Sequence, residues 1–244
     1  MKKIVFILVV FVGMTACHRP FRVVEKSGSV LMIDSTLNVI QDSDYLAALA
    51  PIKEDLERQL GAPIGYAPMA LEVYQPECPM LNWASDALLA QACKLCPNPV
   101  DMAVVNIGGM RCNWGAGDIT FRHVFELMPF DNELVVLTLQ GKDILELCKV
   151  FAKNGGEGVA GLRMKADKGV VKSAKISGKE VLPDAFYTVA TSDYLSQGND
   201  GMVPLKNHIE VWKSDKKIRD LYIEYIKQVE QVEAKVDGRM DITM

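Results

Sequence analysis

The stretch NIGGMR, from Asn106 to Arg111, directly follows the apolar run Met102 to Val105. A short, wholly apolar run is typical of a buried strand, so we predict a strand that leads into a glycine loop. The loop is unlike the familiar phosphate loops, because no lysine followed by Ser/Thr comes after its glycines and a third glycine is absent. The planar fork of Arg111 suits a phosphate or a carboxylate. The alternative is a surface arginine beside two turn glycines, and both interpretations fit these residues equally well.

Two later stretches favour a ligand site. PFDN, Pro129 to Asn132, places an aromatic ring next to an amide, and TSDYLSQGNDG, Thr191 to Gly201, places Tyr194 six residues before Asp200. Two loop aromatics can sandwich a planar ring, an asparagine can read the edge of that ring, and an aspartate can accept two sugar hydroxyls. Base stacking contributes about 1–3 kcal/mol per aromatic, so two faces give roughly 2–6 kcal/mol. These are the requirements of a nucleoside site.

Together these stretches resemble the C-terminal, substrate-binding domain of the 5'-nucleotidases. That family has an N-G-G-G-I-R loop, a G-x-[IL]-[ST] turn, a P-F-G-N turn and a G-G-D-G loop after an aromatic. The corresponding motifs here are NIGGMR, GDIT (Gly117 to Thr120), PFDN and GNDG (Gly198 to Gly201). DYLAALAPIKEDLERQLGAPIG also resembles the family's lead-in helix, and MLNWASDAL resembles its L-G-N-L-x-x-D-A segment. Each motif is weak alone, but all of them in the same order, from about Asp44 to Trp212, are specific.

The resemblance implies a mixed α/β (α+β) fold, the four-layer α/β/β/α sandwich of that family. It also implies a substrate site of seven side chains: Asn82, Asn106, Arg111, Phe130, Asn132, Tyr194 and Asp200. By position in the motifs, Phe130 and Tyr194 would clamp the nucleobase and Asn132 would contact its edge. Asp200 would hold the ribose hydroxyls, and the remaining three side chains would face ribose and phosphate.

The chain departs from the family pattern at several positions. Asp131 replaces the glycine of P-F-G-N, Asn199 replaces a glycine of G-G-D-G, and Tyr194 stands where phenylalanine is usual. The family also has an arginine shortly before the L-G-N segment, whereas this chain has none between Arg58 and Arg111. These departures bear more on phosphate binding than on base binding.

Metal ligands are sparse in the sequence. Family enzymes hydrolyse with two metal ions held by an N-terminal metallophosphatase domain, and a two-metal site needs many clustered His, Asp and Asn ligands. The histidines are His18, His123 and His208, and no D-x-H, N-H-[DE] or H-x-H motif occurs. We predict His123 to be a surface or packing residue. No catalytic residue, metal or cofactor is therefore predicted in this chain, and divalent metals are expected only in a partner.

The N-terminus has the pattern of an export signal. Lys2 and Lys3 precede an apolar run, Ile4 to Val12, which is too short to span a bilayer as a helix. Met14 to Cys17 resembles a bacterial lipobox, so Cys17 would carry the acyl chains. The alternatives are an ordinary signal peptide cut near Ala16, or a buried strand. We predict a signal peptide at 1–16, a tether at 17–37 and a 5'-nucleotidase C-terminal-like domain at 38–244. We also predict that the exported protein is lipid-anchored to the bacterial cell envelope, at the periplasmic face or the outer membrane.

The net charge of the chain bears on whether it binds nucleic acid. Removal of residues 1–16 takes away two lysines and no acid, so the formal net charge falls from -4 to -6. An acidic surface argues against nucleic-acid binding, which needs clustered Lys and Arg.

Five cysteines remain beside Cys17, an odd number, so no complete disulfide framework is implied. Cys93-Lys-Leu-Cys96 is a CxxC, which we interpret as a helix end rather than a redox or zinc site because no second Cys/His pair exists.

Amphipathic spacing predicts helices, and apolar or β-branched runs predict strands. The predicted helices are Asp44 to Leu60, Leu81 to Ala92, a short one that Thr120 caps and that runs through Met128, Asp143 to about Ala152, and Ile218 to Val236. The predicted strands are Val30 to Ile33, Met69 to Tyr74, Met102 to Val105, Leu134 to Leu139, Leu162 to Ala166, Val170 to Ile176 and Tyr187 to Thr191. Helices and strands mix without a regular repeat, which predicts one α/β or α+β domain.

Four functional hypotheses follow. The first is the nucleotide-binding half of a split 5'-nucleotidase, with a separate metallophosphatase chain and an AMP-like nucleotide or nucleoside as ligand. The second is a non-catalytic nucleoside-binding lipoprotein for capture or sensing. The third, a free-standing hydrolase, requires metals bound by this chain. The fourth is a vestigial fold whose site has decayed at Asp131 and Asn199.

Overall fold

The structure is a computed structural model that describes residues 23–34 and 42–243. The predicted signal peptide, Cys17, His18 and the boundary predicted at residue 38 lie outside these residues. The strand predicted at Val30 to Ile33 is wrong, because these residues are exposed and pair with no strand within the described ranges. Chain contacts divide the protein into two units, residues 1–50 and 51–244.

Helix α1 (Ser43–Leu60) crosses the division between the two units. It begins where the carboxylate of Asp42 accepts the backbone N–H groups of Asp44 and Tyr45, an arrangement that satisfies donors left free at a helix start. The helix is confirmed, but its apolar stripe does not become core, since no residue of α1 is buried. The spacing therefore predicted the helix correctly without identifying a packing partner.

Five further helices follow in the second unit: α2 (Pro79–Leu95), α3 (Phe121–Leu127), α4 (Gly141–Asn154), α5 (Asp193–Ser196) and α6 (Ile218–Val229). At the start of α3, the Nδ1 atom of His123 lies 3.0 Å from both the backbone nitrogen and the hydroxyl of Thr120. His123 is thus part of a helix cap, consistent with a structural role. Helix α4 ends at Gly155, whose φ of 86° is readily adopted by glycine.

The strands form three sheets. The five-stranded sheet has the order β10 (Glu210–Lys217), β4 (Glu133–Gln140), β9 (Phe186–Ser192), β2 (Met102–Val105) and β5 (Gly158–Ala160). The four-stranded sheet has the order β11 (Met240–Thr243), β6 (Leu162–Asp167), β7 (Val170–Ile176) and β8 (Lys179–Glu180). The remaining pair is β1 (Pro63–Ala67) with β3 (Gly117–Thr120). Strands β2 and β9 run parallel, and their other neighbours in the five-stranded sheet are antiparallel.

The central strands of the five-stranded sheet are covered on both faces, which explains their apolar runs. On β4, Leu134 and Val136 belong to the cluster that includes side chains of α2 and α6. The alternate residues Val135 and Leu137 belong to a second cluster that includes α4 and the four-stranded sheet. Helices α2 and α6 thus cover one face of the five-stranded sheet. Its other face packs against α4 and the four-stranded sheet, and α4 contacts both sheets. The mixed α/β sandwich that the resemblance predicted is confirmed.

Several boundaries differ from their predictions. The last helix ends at Val229 rather than Val236, because Glu230 adopts a left-handed φ of 61° and the following residues pair with β1. The strand predicted at Met69 to Tyr74 reduces to a single bridge between Leu71 and Trp114. The strands that were not predicted are short or interrupted by glycine, proline or charged residues, which break the apolar pattern: β1, β3, β5, β8, β10 and β11.

The five cysteines in the described part of the chain are free thiols. Cys93 lies near the end of α2 and Cys96 follows directly after that helix, in line with the helix-end interpretation. Within residues 23–34 and 42–243, no helix has the length and apolarity needed to cross a membrane.

Candidate functional site

Six of the seven predicted site residues line one cleft of about 420 Å³. Such a volume lies within the usual range for small-molecule sites, about 300–1,000 Å³. The lining residues are Asn106, Gly108, Gly109, Arg111, Met128, Phe130, Asn132, Tyr194 and Asp200. Residues up to 94 positions apart in sequence thus come together in one place.

Sheet topology explains this convergence. Strands β2 and β9 are parallel neighbours, so the loops that leave their carboxyl ends emerge at the same edge of the sheet. Strand β4 pairs antiparallel with β9, with Leu134 opposite Ser192, so the turn before β4 lies at that edge too. The loop after β2 is further fixed by the backbone N–H of Arg111, which donates to Leu127 O at the end of α3 (2.9 Å). Each of the three quoted motifs is therefore delivered to one end of the sheet.

The carboxylate of Asp200 is held from two sides. The hydroxyl of Tyr194 donates to Oδ1 at 2.9 Å, and the side-chain amide of Asn106 donates to Oδ2. The hydrogen bond to Asp200 raises the pKa of Tyr194, because the proton is shared with a negative charge. Gly109 leaves room for this arrangement, since a Cβ there would lie 2.8 Å from Asn106 Oδ1. Each carboxylate oxygen accepts about two hydrogen bonds, so the oriented carboxylate keeps capacity for a pair of ligand hydroxyls.

The aromatic residues of the cleft are partly open to solvent. Phe130 is 38% exposed and Tyr194 is 40% exposed, so both rings are accessible to a ligand in the cleft. The guanidinium carbon of Arg111 lies 5.3 Å from the centre of the Phe130 ring, and its NH1 donates to Gly108 O at 3.3 Å. Arg111 is the cation among the lining residues, and it has no carboxylate partner in the described ranges. Its charge is available to an anion.

Asp193 holds the two aromatic segments together. Its Oδ1 accepts the backbone N–H of Tyr194 at 2.8 Å and that of Glu133 at 3.1 Å. One carboxylate oxygen therefore ties the start of α5 to the turn that carries Phe130 and Asn132. The amide of Asn132 makes no side-chain hydrogen bond within residues 42–243, so both its donor and its acceptor face the cleft unpaired. Asp193 thus holds together the segments that carry the predicted base clamp, Phe130 and Tyr194, and the predicted base-edge contact, Asn132.

The departures from the family motifs take up structural roles beside the cleft. Asp131 does not line it; instead its carboxylate binds Lys217 Nζ at 2.8 Å and Arg219 NH2 at 2.6 Å. The hydrogen bonds from Lys217 and Arg219 hold the pKa of Asp131 below its usual value. The side-chain amide of Asn199 donates to Tyr194 O at 2.8 Å. Asp131 thus anchors the turn that carries Phe130, and Asn199 anchors the backbone of Tyr194.

Asn82 is the predicted site residue that the structure places elsewhere. It is buried on α2, where its amide donates to Glu77 Oε1 at 2.7 Å and to Lys235 O at 2.9 Å. A motif fixes the order of residues along the chain but not the direction in which a helical side chain points. The assignment of Asn82 to a face toward ribose and phosphate is therefore corrected to a buried structural contact.

Sequence reasoning missed Met128 and Glu157. Met128 lines the cleft beside the PFDN turn. Glu157 lies beneath the glycine loop, where it accepts the backbone N–H of Ile107 at 2.8 Å. It was missed because it sits among glycines with no apolar pattern, and the cleft loop that it contacts is 50 residues away in sequence.

The residues present do not fit a metal centre. In residues 23–34 and 42–243, no three His, Cys, Asp or Glu side chains are placed to hold a metal ion. His208 contacts Leu205 O through its Nδ1 at 2.9 Å, and His123 caps α3, so both are engaged in local structure. No chemical step through a metal is therefore derived for this chain.

Comparison with known proteins identifies the family. The sequence model of the family described as "5'-nucleotidase, C-terminal domain" matches residues 62–207. The chain belongs to the 5'-nucleotidase C-terminal domain family. That match contains the four quoted motifs NIGGMR, GDIT, PFDN and GNDG, and all of them except GDIT contribute residues to the cleft.

The relatives that this chain matches are longer proteins. It is 27% identical over 190 residues to a 5'-nucleotidase of Vibrio cholerae, covering 76% of this chain and 34% of that protein. It is 29% identical over 210 residues to Protein UshA of Yersinia enterocolitica, covering 82% of this chain and 38% of that protein. The fold is similar to the 5'-nucleotidase precursor of Thermus thermophilus, with a TM-score of 0.72, 24% identity, and coverage of 82% of this chain and 43% of that one. The chain thus spans less than half the length of these relatives.

Proposed function

We propose that this chain is the nucleotide-binding half of a two-chain 5'-nucleotidase, which hydrolyses a nucleotide phosphomonoester together with a separate metallophosphatase chain. The observation that supports this most is the convergence in one cleft of two exposed aromatic rings, an unpaired amide, an oriented carboxylate and a free arginine. Family membership supports a nucleotide-related role for the same cleft.

In this proposal each side chain has a distinct task. The rings of Phe130 and Tyr194 hold the base between them, and Asn132 pairs with the base edge. Asp200, oriented by Asn106 and Tyr194, accepts the two ribose hydroxyls. Arg111 supplies the positive charge for the phosphate, which remains accessible to a second chain because the cleft is open to solvent.

The length of the relatives supports a role for a partner. The relatives from Vibrio cholerae and Yersinia enterocolitica are longer, and about two thirds of each is not matched here. We propose that the metals and the attacking water belong to a metallophosphatase chain. Export is proposed from the N-terminal signal, and attachment to the envelope from a lipid on Cys17.

The test is calorimetric titration of adenosine and AMP into the soluble mature protein, residues 17–244 with Cys17→Ser. We expect binding of both ligands. Phe130→Ala should weaken binding by about 1–3 kcal/mol through loss of one stacking face. Asp200→Ala should weaken it by about 1.5–3 kcal/mol, because hydrogen bonds to a charged group are lost.

Phe186→Ala is the control for Phe130→Ala, since Phe186 is also exposed, at 57%, but does not line the cleft. It should leave ligand affinity unchanged. Equal weakening by both Phe variants would show a general loss of folding and would contradict the assigned base clamp. No heat with either ligand, from protein shown to be folded, would remove this cleft as a stand-alone nucleoside site.

A second candidate function is a nucleoside-binding lipoprotein for capture or sensing, without a catalytic partner. It is favoured by the charge of the cleft: one cation, Arg111, faces one carboxylate, Asp200, so the lining side chains carry no net positive charge. That balance suits an uncharged nucleoside as well as a nucleotide. Tighter binding of adenosine than of AMP by the isolated chain would favour this candidate, and the reverse order would favour the two-chain enzyme.

A further inference from the structure

A closed ring of hydrogen bonds lies beneath the cleft. Asn106 donates to the carboxylate of Asp200, and the next residue, Ile107, donates its backbone N–H to Glu157 Oε2 at 2.8 Å. The side-chain amide of Asn154 donates to Glu157 Oε1 at 3.0 Å, and it also lies 3.5 Å from Asp200 O. The ring therefore joins three separate segments: the glycine loop, the turn that carries Asp200, and the loop between α4 and β5.

Glu157 is the member of this ring that is buried. Only 4% of its surface is exposed, although an isolated carboxylate is costly to remove from water unless it is paired or hydrogen-bonded. Its two oxygens each receive one N–H donor, and no Lys or Arg pairs with it in the described part of the chain. The two hydrogen bonds of this buried carboxylate thus stand in place of an ion pair, and one of them holds the loop that lines the cleft.

The backbone around Glu157 is built to allow this position. Gly156 has a φ of +119°, and a Cβ there would lie 2.1 Å from Pro76 O, so glycine is required. The loop is also fixed by Gln75, whose side-chain amide donates to Asn154 O at 2.7 Å and to Gly156 O at 3.2 Å. The loop is thus rigidly held, which makes it a fixed support for the two cleft segments.

We infer that Glu157 is a positioning residue for the proposed nucleoside site: its carboxylate fixes the glycine loop and the Asp200 turn relative to each other, so that Asp200 meets the ribose hydroxyls in the correct place. This inference rests on the proposed function for its ligand, but the positioning itself is a property of the free protein. Glu157 does not line the cleft and does not contact the ligand.

The ionisation of Glu157 gives a readout that a packing role would not. Burial raises the pKa of Glu157 above its usual value, and the negative charge of Asp200 raises it further, while the donors Ile107 N–H and Asn154 Nδ2 oppose the shift. Protonation converts one accepting oxygen into a donor, which breaks one link of the ring. Ligand affinity should therefore fall as the pH decreases through the raised pKa.

The decisive variant is Glu157→Gln, because a glutamine side chain has one oxygen and can accept only one of the two donors. We expect the Kd for adenosine to rise roughly tenfold, the effect of one lost hydrogen bond to a charged group. The decline in affinity at low pH should disappear in this variant. The matched control is Glu77→Gln, which alters another buried carboxylate with three N–H donors, from Asn82, Asp237 and Met240, away from the cleft.

Hydrogen exchange of the free protein tests the positioning without any ligand. In Glu157→Gln, peptides covering residues 106–111 and 194–201 should exchange faster than in the wild type, whereas in Glu77→Gln they should be unchanged. Unchanged exchange in Glu157→Gln would overturn the inference, as would an equal effect of both variants on adenosine affinity. If the wild type binds no adenosine but Glu157→Gln still loosens these two segments, the proposed function fails and the positioning role stands.

Discussion

Two arginines in the described part of the chain lie over phenylalanine rings, and their surroundings are opposite. Arg219 lies 4.3 Å from the centre of Phe125; it is buried, and it binds the carboxylate of Asp131. Arg111 lies 5.3 Å from the centre of Phe130; it is exposed and pairs with no carboxylate within the described residues. The first charge is satisfied inside the fold, whereas the second faces an open cleft. The comparison teaches that a stacked arginine indicates a ligand site only where its charge is left unpaired.

The largest expected effect concerns the unpaired arginine. Arg111→Ala should weaken AMP binding by about 1.5–3 kcal/mol, because a charge-assisted hydrogen bond to the phosphate is lost. Adenosine binding and the unfolding free energy should change little, within about 0.5 kcal/mol for an exposed side chain. Calorimetric titration of both ligands, with urea unfolding of the same variant, measures these effects.

Arg111→Lys separates the effect of the positive charge from that of the guanidinium geometry, since lysine keeps the charge but loses the planar fork. It should retain part of the AMP affinity. If Arg111→Ala instead weakened adenosine and AMP equally, Arg111 would act through the Phe130 ring, and the contrast with Arg219 would be lost.

The paired arginine should behave in the opposite way. Arg219→Ala should lower the unfolding free energy by about 2 kcal/mol, the value of a desolvated stack of a cation on a ring. Arg219→Met should lose less, because it keeps the apolar stem against Phe125. Urea unfolding measures both variants. A stability loss no greater than that of Arg111→Ala would contradict the division into a structural and a functional arginine.

The sequence predicted the central strands of the five-stranded sheet. The runs at β2, β4 and β9 are apolar because two layers cover them, whereas β10 reads EVWKSDKK and was missed because edge strands carry charge. The cleft followed from motif order, since the ends of β2 and β9 share one sheet edge. The roles of Asn82 and Glu157 did not follow, because each makes one local hydrogen bond but a second one to a distant residue, Lys235 or Ile107. Local patterns do not encode which distant groups a buried polar side chain meets.

The pairing of Asp131 predicts an acid-dependent contribution to stability. Its pKa is lowered in the folded protein, first by the hydrogen bond from Lys217 and then by that from Arg219. The stabilisation by Asp131 is therefore fully present above the pKa of an aspartate in the unfolded chain, about 3.9. It is lost as the pH falls through the lower pKa that Asp131 has in the folded protein. Asp131→Asn should be less stable than the wild type at neutral pH, and the difference in urea midpoint should shrink below about pH 4. A difference independent of pH would show that the Asp131 charge does not hold the turn.

The smallest expected effect concerns Asn199, and it separates an adapted site from a decayed one. Its amide holds Tyr194 O at 2.8 Å, in the same way that Asp131 holds the turn beside Phe130. Asn199→Gly restores the residue usual in the family, and a decayed site should then bind adenosine more tightly. We expect the opposite, a loss of about 0.5 kcal/mol, because one partly exposed hydrogen bond that supports the Tyr194 ring is removed. Asn207→Gly is a control in a neighbouring loop, since Asn207 binds Asp143 rather than a cleft residue, and it should leave the affinity unchanged. Tighter adenosine binding by Asn199→Gly alone would show that this departure from the family motif weakened the site instead of bracing it.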